Sequence, residues 1–190
     1  MSSRVALAIV LALITGCTST AATTVDGKIG GHGLAAKSAV FVTKQVTTLG
    51  LTGTADFVMI SDTPALCTEL QNNIPIRNSA MLTMMMVKAV SETSFDAPTV
   101  GVYPIALAVA VPPFQVSTAI FDATDASCAS VYTEVQEATG GNVELTALGA
   151  NAGEKTTGKI DLLFGGERLV GEFEATFCEV GTGGAAADCQ

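Results

Sequence analysis

The chain has 190 residues, with 9 Lys plus Arg against 18 Asp plus Glu, one His, no Trp and a net charge of −9. Binding a phosphate backbone needs clustered cations, so this balance argues against nucleic acid as a partner. Hydrophobic residues make up 48% and charged ones only 14%, far from the composition of disordered chains, and the length fits one domain able to build a core.

In chain order, Met1-Ser2-Ser3-Arg4 is a short basic start, and Val5 to Ile14 is an unbroken apolar run. Its ten residues would span about 15 Å as a helix, half the roughly 30 Å of a bilayer's hydrocarbon core. That length suits the apolar region of a signal peptide rather than a transmembrane helix. Ile14-Thr15-Gly16-Cys17 follows. This resembles the lipobox of bacterial lipoprotein signal peptides: an aliphatic residue, two small residues, then Cys. The resemblance implies cleavage after residue 16, diacylglyceryl attachment to the Cys17 thiol and, usually, acylation of the new amine. Two or more acyl chains make a stable anchor where one is marginal, so the bilayer is the implied partner. Thr18, where inner-membrane lipoproteins tend to carry Asp, implies the outer membrane of a cell with two membranes.

Residues 17–34 are expected to be the lipidated Cys and a flexible tether. The stretch is rich in Ser, Thr, Ala and Gly and ends in Gly30-Gly31-His32-Gly33, with little apolar surface to order it. Residues 35–180 are expected to form the folded domain, and residues 181–190 a tail of small residues.

From Ala35 on, apolar residues recur with period two, the mark of strands. Ser38–Val46, Ala55–Ser61, Ala80–Val90, Val100–Val111, Phe114–Phe121, Asn142–Leu148, Lys159–Phe164 and Leu169–Val180 read as strands. Pro104 cannot donate to a ladder, which puts its strand at an edge or bulge. The last two segments form a hairpin turning through Gly165-Gly166-Glu167-Arg168, where glycine supplies positive φ. In its second strand Leu169, Gly171, Phe173, Ala175 and Phe177 share a face to be buried. Val170, Glu172, Glu174 and Thr176 share the wet face. Asp62–Leu70 reads as a helix of two or three turns, with Asp62 as N-cap candidate and Pro64 near the start. Ala126–Glu137 reads as a second short helix or an irregular crossover. The expected fold is mainly β: an antiparallel β-sandwich or flattened barrel of about eight strands with one or two short helices.

Five cysteines occur, at 17, 67, 128, 178 and 189. With Cys17 lipidated, four remain, and in an exported chain an even number suggests two disulfides. Cys178 and Cys189 are near enough in sequence to close a local loop, leaving Cys67 with Cys128. Alternatively Cys67 joins Cys178. Ser61-Asp62-Thr63-Pro64-Ala65-Leu66-Cys67 and Gly171-Glu172-Phe173-Glu174-Ala175-Thr176-Phe177-Cys178 resemble an S-D-x-P-x-L-C element and a G-x-F-x-A-x-F-C strand of uncharacterised cell-envelope lipoproteins. That resemblance implies the pairing of Cys67 with Cys178, and no activity.

Catalytic apparatus is sparse. His32, the lone histidine, lies in the expected tether, where it cannot be held as the base of a nucleophilic triad. A zinc site needs three or four His and Cys ligands. Glu172 and Glu174, with Glu167 nearby, have a separation compatible with glycoside hydrolysis, although such pairs are usually a solvated strand face. Asp122, Asp125, Glu134 and Glu137 around Cys128 offer oxygens to calcium without a D-x-D-x-D-G loop. Met59, Met81, Met84, Met85 and Met86 offer thioethers to a soft metal, but their spread over both faces of a strand points to core filling. Glycine clusters lack the context of a phosphate loop. The sequence therefore reads as a membrane-anchored envelope lipoprotein acting as a binding or structural module, not an enzyme and without a cofactor. Its possible partner is an envelope protein, a polymer or a small apolar ligand. The alternatives are a carboxylate-dependent envelope glycan hydrolase and a lipoprotein binding calcium or a soft metal.

Overall fold

The computed structural model describes residues 23–48, 51–91, 94–105 and 112–180. Twelve strands and one helix lie in these residues: β1 (Thr24–Ile29), β2 (His32–Gly33), β3 (Ser38–Thr48), β4 (Leu51–Ser61), α1 (Leu66–Gln71), β5 (Ala80–Ala89), β6 (Ser94–Asp96), β7 (Gly101–Pro104), β8 (Phe114–Ala123), β9 (Gln136–Glu137), β10 (Gly140–Ala147), β11 (Lys155–Phe164) and β12 (Glu167–Phe177). Eight of the strands have six or more residues, which agrees with the fold expected from period two.

One twisted sheet runs β7-β10-β11-β12-β3-β4-β5-β8, with β6 beside β4 and β5, and β9 beyond β8. Most neighbours are antiparallel, but β12 pairs with β3 and β4 with β6 in parallel. The sheet stays open. Its β7 and β8 margins meet at a parallel bridge, Ile105 to Ser117, at a hydrogen bond from the Ser117 hydroxyl to the Tyr103 carbonyl (2.9 Å) and at one from the Gln115 amide group to the Tyr103 hydroxyl (3.4 Å). The result is a flattened barrel with a seam between these two strands.

Alternation builds its interior. Phe41, Val58, Ile60, Leu82, Met84 and Phe121 are buried in one cluster with residues from β7, β10, β11 and β12. Each side chain of that size contributes roughly 1.5–3 kcal/mol on burial. Tyr103 is fully buried and keeps its hydroxyl satisfied, accepting from the Thr99 amide and donating to the Thr99 carbonyl, both at 2.7 Å. The hairpin of β11 and β12 is tighter than the sequence suggests. Phe164 pairs with Glu167, which leaves Gly165-Gly166 as a two-residue turn with Gly165 at φ +62°. Leu169, Phe173 and Ala175 face inward as expected.

The tether expected over residues 17–34 is corrected from Thr24 on. Thr24–Gly27 pair antiparallel with Leu169–Glu172 of β12, and Ile29 and Leu34 enter the main core. Tyr132 clamps the following turn, its hydroxyl donating to the Ile29 carbonyl at 2.6 Å, while Glu167 accepts from the Gly30 amide at 2.7 Å. Composition misses this because two apolar residues and one free strand edge suffice to order a short segment. The approach also requires Gly171: a Cβ there would stand 2.0 Å from the Thr24 carbonyl oxygen.

Helix α1 is shorter than expected. It begins after Ala65, without a side-chain cap. Asp62 instead accepts from the Ser79 hydroxyl (2.5 Å) and the Ala80 amide (3.0 Å), fastening the helix approach to β5. Residues 126–135 form the irregular crossover, not a helix. Of the strand expected over 100–111, Gly101–Pro104 is present and residues 106–111 lie outside the described residues. Among the described residues no helix is long and apolar enough to cross a membrane.

Candidate functional site: an apolar groove outside the barrel

The residues singled out from the sequence are dispersed. Cys17 and Cys189 lie outside the described residues. Cys67 and Cys178 form a disulfide, the pairing implied by the envelope-lipoprotein resemblance. Cys128 is buried in the crossover at φ +70°, its sulfur 3.3 Å from the Ile76 carbonyl oxygen. His32 sits exposed in β2 with its ring edge-on to Tyr132 at 5.6 Å.

The carboxylates are engaged in structure. Glu172 pairs with Lys159 at 3.4 Å, and Glu174 pairs with Lys155. Both pairs follow from the ladder of β11 and β12, where Lys159 stands opposite Glu172 and Lys155 opposite Thr176, next on the same face to Glu174. Asp122 accepts from the Ser130 hydroxyl at 2.6 Å. Asp125 folds its own loop, accepting from Ser127 and from the Ala129 amide, and these hydrogen bonds hold its carboxyl below the usual range. Glu134 and Glu137 are exposed. Among the described residues no three His, Cys, Asp or Glu gather where they could hold a metal ion.

The methionines divide by strand parity. Met84 and Met86 are fully buried inside the barrel. Met59 and Met81 point to the outer face, where they pack with Val40, Val42, Leu66 and Leu70 of α1, and with Cys178. This outer layer is unusual for an antiparallel sheet, whose second face is commonly wet.

Part of the outer layer stays open. A groove of about 270 Å³ is lined by Val42, Lys44, Phe57, Met59, Leu70, Met81, Thr83 and Val180. Ladder register sets its floor: Val40, Met59 and Thr83 stand abreast across β3, β4 and β5, then Val42, Phe57 and Met85, then Lys44 and Ala55. At one end the groove is roofed by Leu70 of α1 and by Val180, which follows Cys178. Thus the disulfide ties together the two segments that carry the roof. At the other end, two residues past Val42 on the same face, stands Lys44. It is the one charged side chain among the eight that line the groove.

The inward face of the same strands ends in a polar site. Asp56 is 3% exposed and accepts from the Thr43 hydroxyl at 2.8 Å. Burial pushes its carboxyl above the usual carboxylate range, and the Thr43 hydrogen bond offsets part of this. Sequence reading passed over Val42, Lys44, Phe57 and Val180. The available signal was that β3, β4 and β5 carry large apolar residues on both faces.

Compared with protein families, with curated proteins and with solved structures, the chain matches none.

Proposed function

We propose that this protein is a lipid-anchored binding module of the bacterial cell envelope. Cys17 carries the acyl anchor, in the outer membrane where the cell has two, and the β-body binds a ligand rather than catalysing a reaction. The lipobox-like Ile14-Thr15-Gly16-Cys17 supports the anchor. The observation that carries the binding reading is the half-open apolar groove over β3, β4 and β5. Water-exposed apolar surface of this kind is costly unless something occupies it, and concave, mostly apolar sites are where small ligands bind. The carboxylates that suggest glycan hydrolysis are each paired with a lysine on an exposed ladder, which supports a structural part for them.

The Thr23 hydroxyl bonds to both the amide (3.0 Å) and the carbonyl (3.3 Å) of Glu174. Val180, on the groove, is only six residues further along. The six residues from Cys17 to Thr23 span at most about 20 Å, so the body is held close to the bilayer.

The test is the intact mass of the protein from its native membrane, before and after reduction, with fractionation of Cys17→Ser. A chain starting at Cys17 and carrying acyl groups is expected, with release of the variant from the membrane fraction. An unacylated chain with another N-terminus would overturn the anchor.

A further inference from the structure

We propose that residues 181–188 seat in the outer groove as a strap across β3, β4 and β5, fastened by a disulfide between Cys189 and Cys128. An apolar ligand reaches the groove by displacing this strap. The proposal rests on the binding-module reading above and adds the regulation of that site.

Four observations carry it. First, Cys128 is disulfide-bonded. Cys67 and Cys178 hold each other, so its partner is Cys17 or Cys189, and the lipobox-like start reserves Cys17 for acyl chains. Second, the two ends of the strap flank the groove. Val180 lines it beside Val42 of β3. Cys128 stands on the far side, in the loop after β8, with its sulfur 3.3 Å from the carbonyl oxygen of Ile76, which packs against the outer cluster. Third, ladder register draws the path between them. From Val42 to Asp122, near the end of β8, is three strand spacings across and four residues along, about 20 Å. The straight line passes over Phe57 and Met59, then over Thr83 and Met81, all of which line the groove. Nine residues past Val180, Cys189 can reach at most about 30 Å, enough to cross with slack to lift. Fourth, the segment is thin. Gly181-Thr182-Gly183-Gly184-Ala185-Ala186-Ala187-Asp188 carries nothing larger than Thr before Asp188, which suits a trough of about 270 Å³. The alanine methyls meet the flexible thioethers of Met59 and Met81, and backbone groups on the open side of the strap keep their water. So little apolar area binds weakly by itself. The double tether keeps the strap seated by setting an effective concentration on the order of millimolar. A ligand with more hydrocarbon can therefore displace it.

Nuclear magnetic resonance gives a direct test, on the protein purified from the membrane into an amphipathic polymer with its alanine and methionine methyl groups isotope-labelled. Cross-relaxation is expected between the methyls of Ala185–Ala187 and those of Met59 and Met81, lost for each methionine in Met59→Leu and Met81→Leu. Dodecanol, an uncharged single chain, is expected to shift both methionine signals saturably and to erase the alanine contacts. Ala186→Asp, which puts a charge among the seated alanines, is expected to lower the half-saturating dodecanol concentration about tenfold. Unchanged signals from Met84 and Met86, buried inside the barrel, show that the variant is folded. Absence of alanine–methionine contacts would overturn the proposal. Equal half-saturating concentrations in the parent and Ala186→Asp, or a Cys128–Cys17 bond in the peptide map, would do the same. The binding reading fails separately. Alanine contacts present while dodecanol shifts neither methionine, in the parent or in Ala186→Asp, refute ligand binding and leave the strap seated. Saturable shifts without alanine contacts refute the strap alone.

Discussion

Cys67 in α1 and Cys178 just past β12 are disulfide-bonded with their Cα atoms 5.7 Å apart, across 111 residues of chain. The bond holds the one helix among the described residues against the outer sheet face, where Leu66 and Leu70 are buried. Closing a loop of that length removes much entropy from the unfolded chain. Replacing both cysteines by serine is therefore expected to destabilise the protein by about 2–4 kcal/mol. Denaturant unfolding measures this, with the midpoint falling and the slope retained. Of the three pairings open to four cysteines, only one contains this bond, and it joins Cys128 to Cys189. Peptide mapping without reduction is expected to recover that second pair, and recovery of a Cys128–Cys17 peptide would contradict both it and the lipid anchor.

The docking of β1 depends on Gly171. Because its missing Cβ would meet the Thr24 carbonyl at 2.0 Å, Gly171→Ala is expected to displace β1 from β12. The barrel itself should survive, since β12 keeps its ladder with β11. Limited proteolysis reads the difference: the variant is cut within residues 23–33 at a rate at which the parent resists.

Asp56 sets a pH dependence. Burial raises its carboxyl above the value near 3.9 of an unfolded chain. The folded protein thus holds this proton more tightly, and its contribution to stability is full in acid and lost as pH rises through the folded value. Asp56→Asn keeps an acceptor for Thr43 and cannot ionise. Its melting temperature is expected to match the parent's near pH 4 and exceed it at pH 7. A difference that does not change with pH would refute this.

Glu172 and Lys159 form an exposed pair 3.4 Å apart. Such pairs contribute about 0–1 kcal/mol, so Glu172→Gln is expected to shift the unfolding free energy by less than that. It should also leave any activity toward envelope glycans unchanged. Loss of a measurable glycan-cleaving rate in this variant would restore the hydrolase reading.

The fold class was legible because strand alternation is local. Ser38–Thr48, Ala80–Ala89 and the β11–β12 hairpin carry their own period and turn residues. The short helix was legible in place but not in its cap, because Asp62 was taken by Ser79 and Ala80, partners 17 and 18 residues away. The N-terminal strand was hidden for the same reason: its partners on β12 lie more than 140 residues off. The groove was the least legible. Phe57, Met59 and Met81 carry no motif, and only the register of three strands, with the helix and Val180 closing one end, turns them into a single surface.

By itself the sequence determined the period-two body, the glycine turn at 165–166, the even set of four cysteines beyond Cys17, and the lipobox-like start. All of these are short-range patterns or compositions. Tertiary structure decided which cysteines meet, that Thr24–Ile29 is a strand, and that the outer face of β3, β4 and β5 forms a roofed trough ending at Lys44. These features depend on which strand edges pair and in which register. Shifting a register by one residue exchanges the two faces of a strand, so they exist only once the whole sheet has assembled.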